Sequence, residues 1–370
     1  MARVKPDVES FARIKVIGIG GSGLNTLNHM INSKVRGVEF IAINTDAQHL
    51  HHNLAPKKIH IGKNLTRGMG TGMNQELGRQ AAEETKEEIQ DSIKGSDMVF
   101  IACGMGGGTG TGGAPVVAKT AKEQGILTIA VVTKPFSFEG SQRAKIAESG
   151  LFDLRESVDA MIVIPNDRIL GIVEKETTFS SAFMMCDEIL RQAVEGISDL
   201  ITMPGIINVD FADVKTIMQN AGSALMGIGS SQGEKRAEEA ARMAINSPLL
   251  DISIEGAKGV LFAISGGQDM TMLEIQEAAN IITESIDEDA KVIFGAINDN
   301  RLKKNELKVT VIASGFPENK NIKKQSLFSN IDAPKEKNTN TPTNKEPPRS
   351  KKEEEENEWD SIPAFLRRKK

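Results

Sequence analysis

Two patterns in the sequence consist of residues that could do chemistry: glycine-rich turns, which can hold an anion, and a close pair of acidic residues. Seven of the ten positions from Gly104 to Gly113 are glycine, between an apolar segment at 97–103 and a helix-like segment at 114–124. Glycine weakens the interior of a helix or strand, because it loses the most backbone freedom on folding. Bare backbone in this place predicts a turn whose N–H groups approach a bound anion.

The residues around this turn favour phosphate as the anion. Thr109 and Thr111 add hydroxyl groups, and Pro115 is typical of the first positions of a helix, whose dipole would point at the turn. A flexible linker would also explain the glycines, but a predicted strand and helix abut them directly. A P-loop is excluded because no Gly-Lys-Ser/Thr follows. We therefore predict a phosphate cradle made mainly of backbone, centred on Gly108, Thr109 and Gly110.

A second glycine turn, GIGGSG at 18–23, matches G-x-G-x-x-G between a β-branched apolar segment and a segment with helical spacing. Asp46 follows the next predicted strand, where a dinucleotide-binding fold places its ribose-binding acid. This pattern alone predicts a Rossmann-type NAD(P)-dependent oxidoreductase, with a simple packing turn as the other interpretation. A third glycine-rich segment, GMGTG at 68–72, favours a polyphosphate held by several loops.

The acidic pair is Asp210 and Asp213, with Asn208 just before it. The two acids are three residues apart and share a face if a helix begins here. Asp210 as the N-cap with Asp213 near N3 is also an ordinary capping arrangement, and the residues alone favour that interpretation. A carboxylate beside phosphates is useful only where it places water or a metal ion, since like charges repel.

The elements that position these residues alternate along the first half of the chain. Apolar, β-branched runs predict strands, and segments with helical spacing or a polar face separate them. Strands of this kind are typical of a parallel sheet covered on both faces, so we predict a doubly wound α/β domain. The predicted strands are 14–19, 38–44, 97–103, 126–133 and 160–165, and the predicted helices include 24–31, 74–93 and 141–157.

The pattern changes after a long helix-like segment at 180–203. Three further strands are predicted at 258–264, 291–297 and 307–313, with helices at 234–244 and 272–286, which indicates a smaller α+β domain. The predicted organisation is a flexible N-terminus at 1–11, a nucleotide-binding domain at 12–178, a central helix at 179–204, the α+β domain at 205–316, a disordered linker at 317–358 and a terminal peptide at 359–370.

The terminal peptide is predicted from a change in composition. The linker is rich in Lys, Glu, Asn, Pro, Thr and Ser and has too few apolar residues to offset its chain entropy. Apolar residues return at Trp359, Ile362, Phe365 and Leu366, spaced as on a short helix that fits a partner's groove. A solvated tail end is the alternative. The four basic residues that end at Lys370 could instead contact anionic lipid.

Composition excludes several classes of protein. The net charge of −5 provides no global basic field, so no nucleic-acid partner is expected. Cys103 and Cys186 are far apart, as is typical of a reducing compartment. The N-terminus has no signal-peptide core, and no run approaches the ~20 apolar residues of a membrane span. We therefore expect a cytoplasmic protein.

At the glycine-rich turn from Gly104 to Gly113 the sequence resembles a known family. GGGTGTGGAP at 106–115 is close to the tubulin-superfamily signature, and 12–316 as a whole resembles FtsZ, the bacterial division GTPases that polymerise into filaments. The resemblance extends over nearly the full chain apart from the linker. It is carried by INTDAQ at 43–48, VTKPFSFEG at 132–140, IPND at 164–167, NVDFADV at 208–214, RAEEAARMAINSPLL at 236–250 and IPAFLRR at 362–368.

The resemblance implies a GTP- or GDP-binding site with a role for each matching residue. Thr71 and Gly72 would lie near the γ-phosphate, Glu139 and Arg143 near the ribose and phosphates, and Asn166 and Asp187 at the base. A carboxylate suits guanine because it can accept from N1–H and the exocyclic amine. The full predicted set is Gly21, Ser22, Gly23, Leu24, Asn25, Asp46, Thr71, Gly72, Gly108, Thr109, Gly110, Thr133, Glu139, Arg143, Asn166 and Asp187. Ser22 and Leu24 stand where the family usually carries glycine or another small or polar residue.

The resemblance also implies that the loop with Asn208, Asp210 and Asp213 docks onto the nucleotide of the next subunit. There the carboxylates would orient or polarise the attacking water beside Mg²⁺, which would be held mainly by the phosphates and water rather than by protein ligands. The implied partners are further copies of the chain, and membrane-tethering and regulatory division proteins that bind the terminal peptide. The implied location is the mid-cell ring. A structural or adaptor protein that binds GTP without hydrolysing it is the remaining alternative.

Overall fold

The computed structural model describes residues 12–171, 177–203, 205–247, 254, 256–299 and 301–316. The predicted flexible N-terminus at 1–11, the linker at 317–358 and the terminal peptide at 359–370 lie outside the described residues. Within the described part, strands form one mixed sheet in the order β3-β2-β1-β4-β5-β6-β8-β11-β9-β10-β7. The strands are β1 (Ile14–Ile19), β2 (Val38–Asn44), β3 (Lys57–His60), β4 (Met98–Gly104), β5 (Leu127–Lys134), β6 (Ala160–Pro165), β7 (Gly205–Ile207), β8 (Gly222–Gln232), β9 (Gly259–Gly266), β10 (Lys291–Asn298) and β11 (Glu306–Ser314).

The helices cover this sheet and connect its strands. A 3₁₀ turn at Ser137–Glu139 precedes α7, and the longest described helix is α9. The helices are α1 (Gly20–Asn32), α2 (Ala47–His52), α3 (Lys63–Thr66), α4 (Gln75–Glu84), α5 (Lys86–Ile93), α6 (Thr109–Glu123), α7 (Ser141–Ser157), α8 (Asn166–Leu170), α9 (Phe179–Thr202), α10 (Phe211–Met218), α11 (Arg236–Ile245) and α12 (Met272–Thr283). No helix in the described ranges is long and apolar enough to cross a membrane.

The first six strands run parallel. For the five predicted strands this agrees with their unbroken apolar character, whereas β3 was not predicted, because its sequence KKIH is largely polar. Alternate side chains of β1 enter different cores: Val16 packs with α1 and α9, whereas Ile17 packs with α4, α5, α6 and α7. Strand β1 lies between β2 and β4, so the chain order reverses at this point of the sheet. Ligands of doubly wound sheets bind at such a switch point, beside the carboxyl ends of the strands.

The sheet continues into the second half of the chain, because Ala160–Ile162 of β6 pair with Gly222–Ala224 of β8. Strand β11 is antiparallel to both β8 and β9, and a third core packs α11 and α12 against these strands. This is the predicted mixed α+β arrangement, reached through the long helix α9. The predicted domain boundaries themselves stay predictions.

Several elements differ from the prediction, among them the short strands β3 and β7, which were not predicted. The single helix expected at 74–93 is two helices, because Thr85 leaves helical geometry with φ −113° and ψ 18°. Strand β8 was not predicted, since its sequence GSALMGIGSSQ has three glycines and no long apolar run. Of these glycines, Gly229 is required by packing, because a Cβ there would lie 2.0 Å from the carbonyl oxygen of Ala240 on α11.

Candidate functional site

A cavity of about 370 Å³ opens where the turns after β1 and β4 meet. The two turns touch through bare backbone, since a Cβ on Gly20 would lie 2.9 Å from the amide nitrogen of Gly110. Gly20 also has φ +72°, which glycine adopts readily. The cavity is lined by Ile19, Gly20, Gly21, Ser22, Asn25, Thr71, Gly104, Met105, Gly107, Gly108, Thr109, Gly110, Thr133, Pro135, Glu139, Arg143, Asn166, Phe183, Cys186 and Asp187.

Helix α6 begins at Thr109, directly behind the glycines 104–108. Pro115 is therefore not at the helix start, as the sequence predicted, but inside α6, one and a half turns in. A proline there removes the N–H that would bond to the carbonyl of Thr111. Glycine is typical of loops, whereas Gly110, Gly112 and Gly113 belong to the helix here. The positive end of the helix dipole thus lies at the cavity itself.

Threonine hydroxyl groups brace the start of α6. The Oγ1 atoms of Thr45 and Thr109 are 2.7 Å apart, and those of Thr71 and Thr109 are 3.3 Å apart. The amide of Gly106 donates to Oγ1 of Thr111 at 2.9 Å. This network joins the ends of β2 and β4 to the loop that contains Thr71, and it fixes the backbone of the cradle.

Several of the glycines are required by packing between helices. A Cβ on Gly112 would lie 1.9 Å from the carbonyl oxygen of Gln75, and one on Gly78 would lie 2.2 Å from that of Gly108. Helices α4 and α6 therefore approach backbone to backbone. Gly107 differs, because a Cβ there would have no protein atom within 4 Å. Gly108 and Gly112 thus allow α4 to pack closely on α6, whereas Gly107 faces open space at the cavity.

The glycine turn at 18–23, with the start of α1, places only some of its predicted residues at the cavity. Gly21, Ser22 and Asn25 line it and are exposed. Gly23 is buried against β4, where a Cβ would lie 2.4 Å from the carbonyl oxygen of Ala102. Leu24 is fully buried and packs in the core shared by α1 and α9. These two residues pack the turn against the core and are outside the cavity lining.

Asp46 and Gly72 are also outside the lining. Asp46 is the N-cap of α2, and its Oδ1 accepts a hydrogen bond from the amide of His49 at 3.0 Å. The carboxylate predicted to bind a ribose is thus engaged in capping a helix. Gly72 has φ +56° and follows Thr71, whose side chain does line the cavity.

One end of the cavity combines polar and aromatic groups suited to a nucleobase. Asn166 begins α8 and is 5% exposed, and its Oδ1 is buried without a hydrogen-bond partner in the structure. Asp187 of α9 accepts from Oγ1 of Thr26 at 2.6 Å. Burial raises the pKa of Asp187 above its usual range, more than the Thr26 hydrogen bond and His29 lower it. Burial likewise raises the pKa of the neighbouring Cys186 thiol to about 12, so it is inert at neutral pH.

Glu139, Arg143 and Thr133 also line the cavity. An oxygen of Glu139 accepts from the amide of Phe136 at 2.9 Å, and the other lies 3.2 Å from Nε of Arg143. Glu139 is thereby both the cap of its 3₁₀ turn and a partner of the one arginine in the cavity lining.

Asn208, Asp210 and Asp213 are exposed and are not part of the cavity lining. Oδ1 of Asn208 accepts from the amide of Gly205 at 2.7 Å. Asp210 and Asp213 form a capping box at the start of α10, as the residues alone predicted. Their carboxylates nevertheless stay at the surface.

Sequence reasoning missed several lining residues, of which Phe183 matters most. It lies one helical turn before Asp187 on α9 and packs against Phe136 and Phe179, with ring centroids 5.2 and 4.8 Å apart. Its apolar neighbours in AFMMC gave it the pattern of an ordinary core residue. The signal that could have found it is its i, i+4 relation to Asp187.

The chain matches two family models and several solved structures of known proteins. A family model described as the GTPase domain of the Tubulin/FtsZ family matches residues 13–174, and one described as the FtsZ family C-terminal domain matches 222–317. FtsZ from M. jannaschii, in a structure described as an empty dimer, is 48% identical over 83% of this chain and 89% of that one, with a TM-score of 0.79. The chain belongs to the FtsZ family. A mutant form of the same protein matches equally well, over 92% of its chain.

Family membership confirms the predicted fold and the predicted GTPase activity of a cell-division protein, and it implies guanine-nucleotide binding. Nothing in the comparisons supports the oxidoreductase. CetZ2 from Haloferax volcanii, described as a GTPγS-bound protofilament, is 22% identical over 81% of this chain and 92% of that one, with a TM-score of 0.70. At that identity the likeness concerns the fold alone.

Proposed function

We propose that this FtsZ-family chain is a self-assembling GTPase whose active site is completed by the next subunit. The observation that carries the proposal is the position of the carboxylates. Glu139 and Asp187 are the acids among the cavity-lining residues, and they are paired with Arg143 and Thr26 respectively. Asp210 and Asp213 cap α10, but their carboxylates are exposed and outside the lining, so the nucleotide of another copy can reach them.

Phosphates bind at the start of α6. The backbone of Gly107, Gly108 and Gly110 offers N–H groups, and the helix dipole adds positive potential. Thr109 and Thr71 present hydroxyl groups on the same side, and Thr71 with Gly72 lies nearest the γ-phosphate. The glycine cradle fits because a side chain at Gly107 would project into the space that the phosphates occupy.

The base binds between Phe183, Asn166 and Asp187. The ionised carboxylate of Asp187 accepts from guanine N1–H and from the exocyclic amine, a donor pair that adenine lacks on that edge. The unpartnered Oδ1 of Asn166 gains a donor when the nucleoside is in place. Phe183 supplies an apolar face for the base, and Glu139 and Arg143 lie at the ribose and phosphates.

Hydrolysis requires a water in line with the γ-phosphate. Asp210 and Asp213 of the next subunit, with Asn208, hold that water and accept its proton as the new P–O bond forms and the β–γ bridging bond breaks. Mg²⁺, when bound, neutralises phosphate charge. Among the described residues no group of three or more His, Cys, Asp or Glu is placed to hold a metal ion. We expect phosphate and water oxygens to hold the ion.

Head-to-tail contacts that do not close produce open filaments, so a site shared between subunits implies polymerisation. A solved relative described as an FtsZ dimer supports this assembly. We assign the protein to the cytoplasm, at the mid-cell ring. The terminal peptide from Trp359 to Lys370 would bind membrane-tethering and regulatory division proteins, with the linker setting its reach.

The test is GTPase activity as a function of protein concentration. The specific activity should rise above a threshold concentration, because isolated subunits lack the acids of a neighbour. Asp213→Ala should retain GTP binding and lose most hydrolysis. A rate per subunit that is independent of concentration would contradict the shared site. Loss of GTP binding in Asp213→Ala would place that residue in the subunit's own pocket.

A further inference from the structure

We propose that His49 is a positioning residue of the nucleotide site, which fixes the side-chain amide of Asn25 with its NH₂ group toward the cavity. The inference rests on the proposed GTP site and adds to it a residue that does not itself line the cavity. Nε2 of His49 lies 3.1 Å from Oδ1 of Asn25. Asn25 is exposed to the cavity, where a ligand would meet it.

The direction of this hydrogen bond decides what Asn25 can do. The amide oxygen of Asn25 can only accept, so the proposal includes the tautomer of His49 in which Nε2 carries the proton and donates it. With its oxygen held, Asn25 presents Nδ2, which carries two donors, to the ligand. A reversed amide would aim an oxygen at a negatively charged nucleotide instead. With its proton on Nε2, His49 therefore selects the orientation of Asn25 that favours an anion.

A second contact places the ring of His49 over the same turn. A Cβ on Gly21 would lie 3.7 Å from Cε1 and from Nδ1 of His49, which is ordinary contact distance. The imidazole therefore lies beside Gly21, at the distance that a side chain on this residue would contact, while Gly21 also lines the cavity. His49 thus lies next to two lining residues of the glycine turn at 18–23, four positions apart on α1.

The helix α2 holds His49 in place. Oδ1 of Asp46 caps the amide of His49 at 3.0 Å, and Leu50, the next residue, is 6% exposed and anchors α2 in the core. Asp46 therefore affects the nucleotide site through His49. This route gives a role in nucleotide binding to the acid that the sequence predicted to contact the ribose directly.

The experiment uses the full chain and equilibrium binding of a fluorescent GTP analogue. His49→Leu keeps an apolar group over Gly21 but removes the donor, and His49→Gln restores a donor. We expect His49→Leu to raise the Kd by about three- to ten-fold and His49→Gln to stay within about two-fold of wild type, as for one hydrogen bond. The kcat at saturating GTP should change less than KM.

The matched control is His52→Ala, an exposed histidine at the end of the same helix, which should bind as wild type. In an Asn25→Ala background, His49→Leu should have no further effect on Kd. The inference is overturned if His49→Leu binds as tightly as wild type, or if His49→Gln is as weak as His49→Leu. Failure of the wild type to bind the analogue would overturn the proposed function as well, so the two failures are distinguishable.

Discussion

Asp213 accepts a hydrogen bond from the backbone amide of Asp210 at 3.4 Å, and Asp210 caps the helix that Asp213 belongs to, accepting from Ala212 at 3.2 Å. The two acids thus hold each other at the start of α10 while both remain exposed. The helix cap and the proposed catalytic role are compatible, because the cap orients the carboxylates at the surface. The two roles can be separated, since an amide caps a helix as well as a carboxylate does.

Asp210→Asn should keep the cap and lose the charge. We expect its thermal unfolding midpoint to match wild type, while GTP hydrolysis in assembled protein falls by about 100-fold, as on removal of a general base. Calorimetry and phosphate release measure the two effects. Asp210→Ala serves as the control for the cap and should cost about 1 kcal/mol of stability as well. Wild-type hydrolysis by Asp210→Asn would leave capping as the whole role of this residue.

Gly107 and Gly112 should respond oppositely to substitution by alanine. The new methyl of Gly112→Ala would overlap the backbone of Gln75, so we expect a loss of about 3 kcal/mol or more in the free energy of unfolding. Gly107→Ala meets no protein atom and should fold as wild type, yet bind GTP more weakly because its methyl fills the cradle. Denaturant unfolding and equilibrium nucleotide binding distinguish the two. If Gly107→Ala bound GTP as tightly as wild type, the phosphates would have to lie elsewhere.

Asp187 should make GTP binding sensitive to mild acid. Burial raises its pKa above the ordinary value of 3.8, and guanine requires the ionised carboxylate. GTP affinity should therefore fall as the pH falls through this raised pKa, at a higher pH than for an exposed aspartate. Conversely, the contribution of Asp187 to the stability of the nucleotide-free protein should be lost as the pH rises through this raised pKa, since the folded state disfavours the charge. Asp187→Asn should lack that contribution, which unfolding of wild type and variant measured from pH 4 to 7 would reveal as a difference in slope, while GTP binding by wild type over the same range tests the first dependence.

Arg301 should stabilise the contact between α9 and the segment after β10. It donates to Glu195 at 2.7 Å, to Asp199 at 2.6 Å and to Asp299 at 2.8 Å. Arg301→Ala leaves buried carboxylates with fewer partners and should cost about 2 kcal/mol, less than for a fully buried group because Arg301 is partly exposed. The matched control is Arg242→Ala, whose exposed pair with Glu238 should contribute less than about 0.5 kcal/mol. Equal losses in the two variants would contradict this role.

The parallel sheet and the glycine cradle could be predicted because both depend on local pattern. Unbroken apolar runs such as β1 predict burial on both faces, and Val16 and Ile17 do enter separate cores. The bounds of β1, β2, β6 and α7 match the predicted segments. Family membership confirms the fold class. The roles of individual site residues remain proposals that the experiments above address.

What the sequence could not predict depends on tertiary contact. Gly112 is needed because α4 packs closely on α6 at this position. The residues next to Gly112 in the sequence do not indicate this contact between the helices. Asp46 matched the position of a ribose-binding acid, but its carboxylate is satisfied locally by the amide of His49. Phe183 resembles a core residue until α9 is placed beside the cavity. In each case the partner is distant in the chain or competes with the predicted ligand.

The central claim is that two subunits share each active site, and mixing two inactive variants tests it most directly. Asp213→Ala keeps an intact nucleotide pocket but lacks the catalytic acid that it would offer to its neighbour. Asp187→Ala keeps that acid on α10 but loses guanine recognition in its own pocket. In an equimolar mixture about a quarter of the junctions would combine an intact pocket with an intact acid, because head-to-tail contact joins different surfaces. The mixture should therefore hydrolyse GTP faster than the sum of the two variants assayed separately. A rate equal to that sum would contradict the shared site.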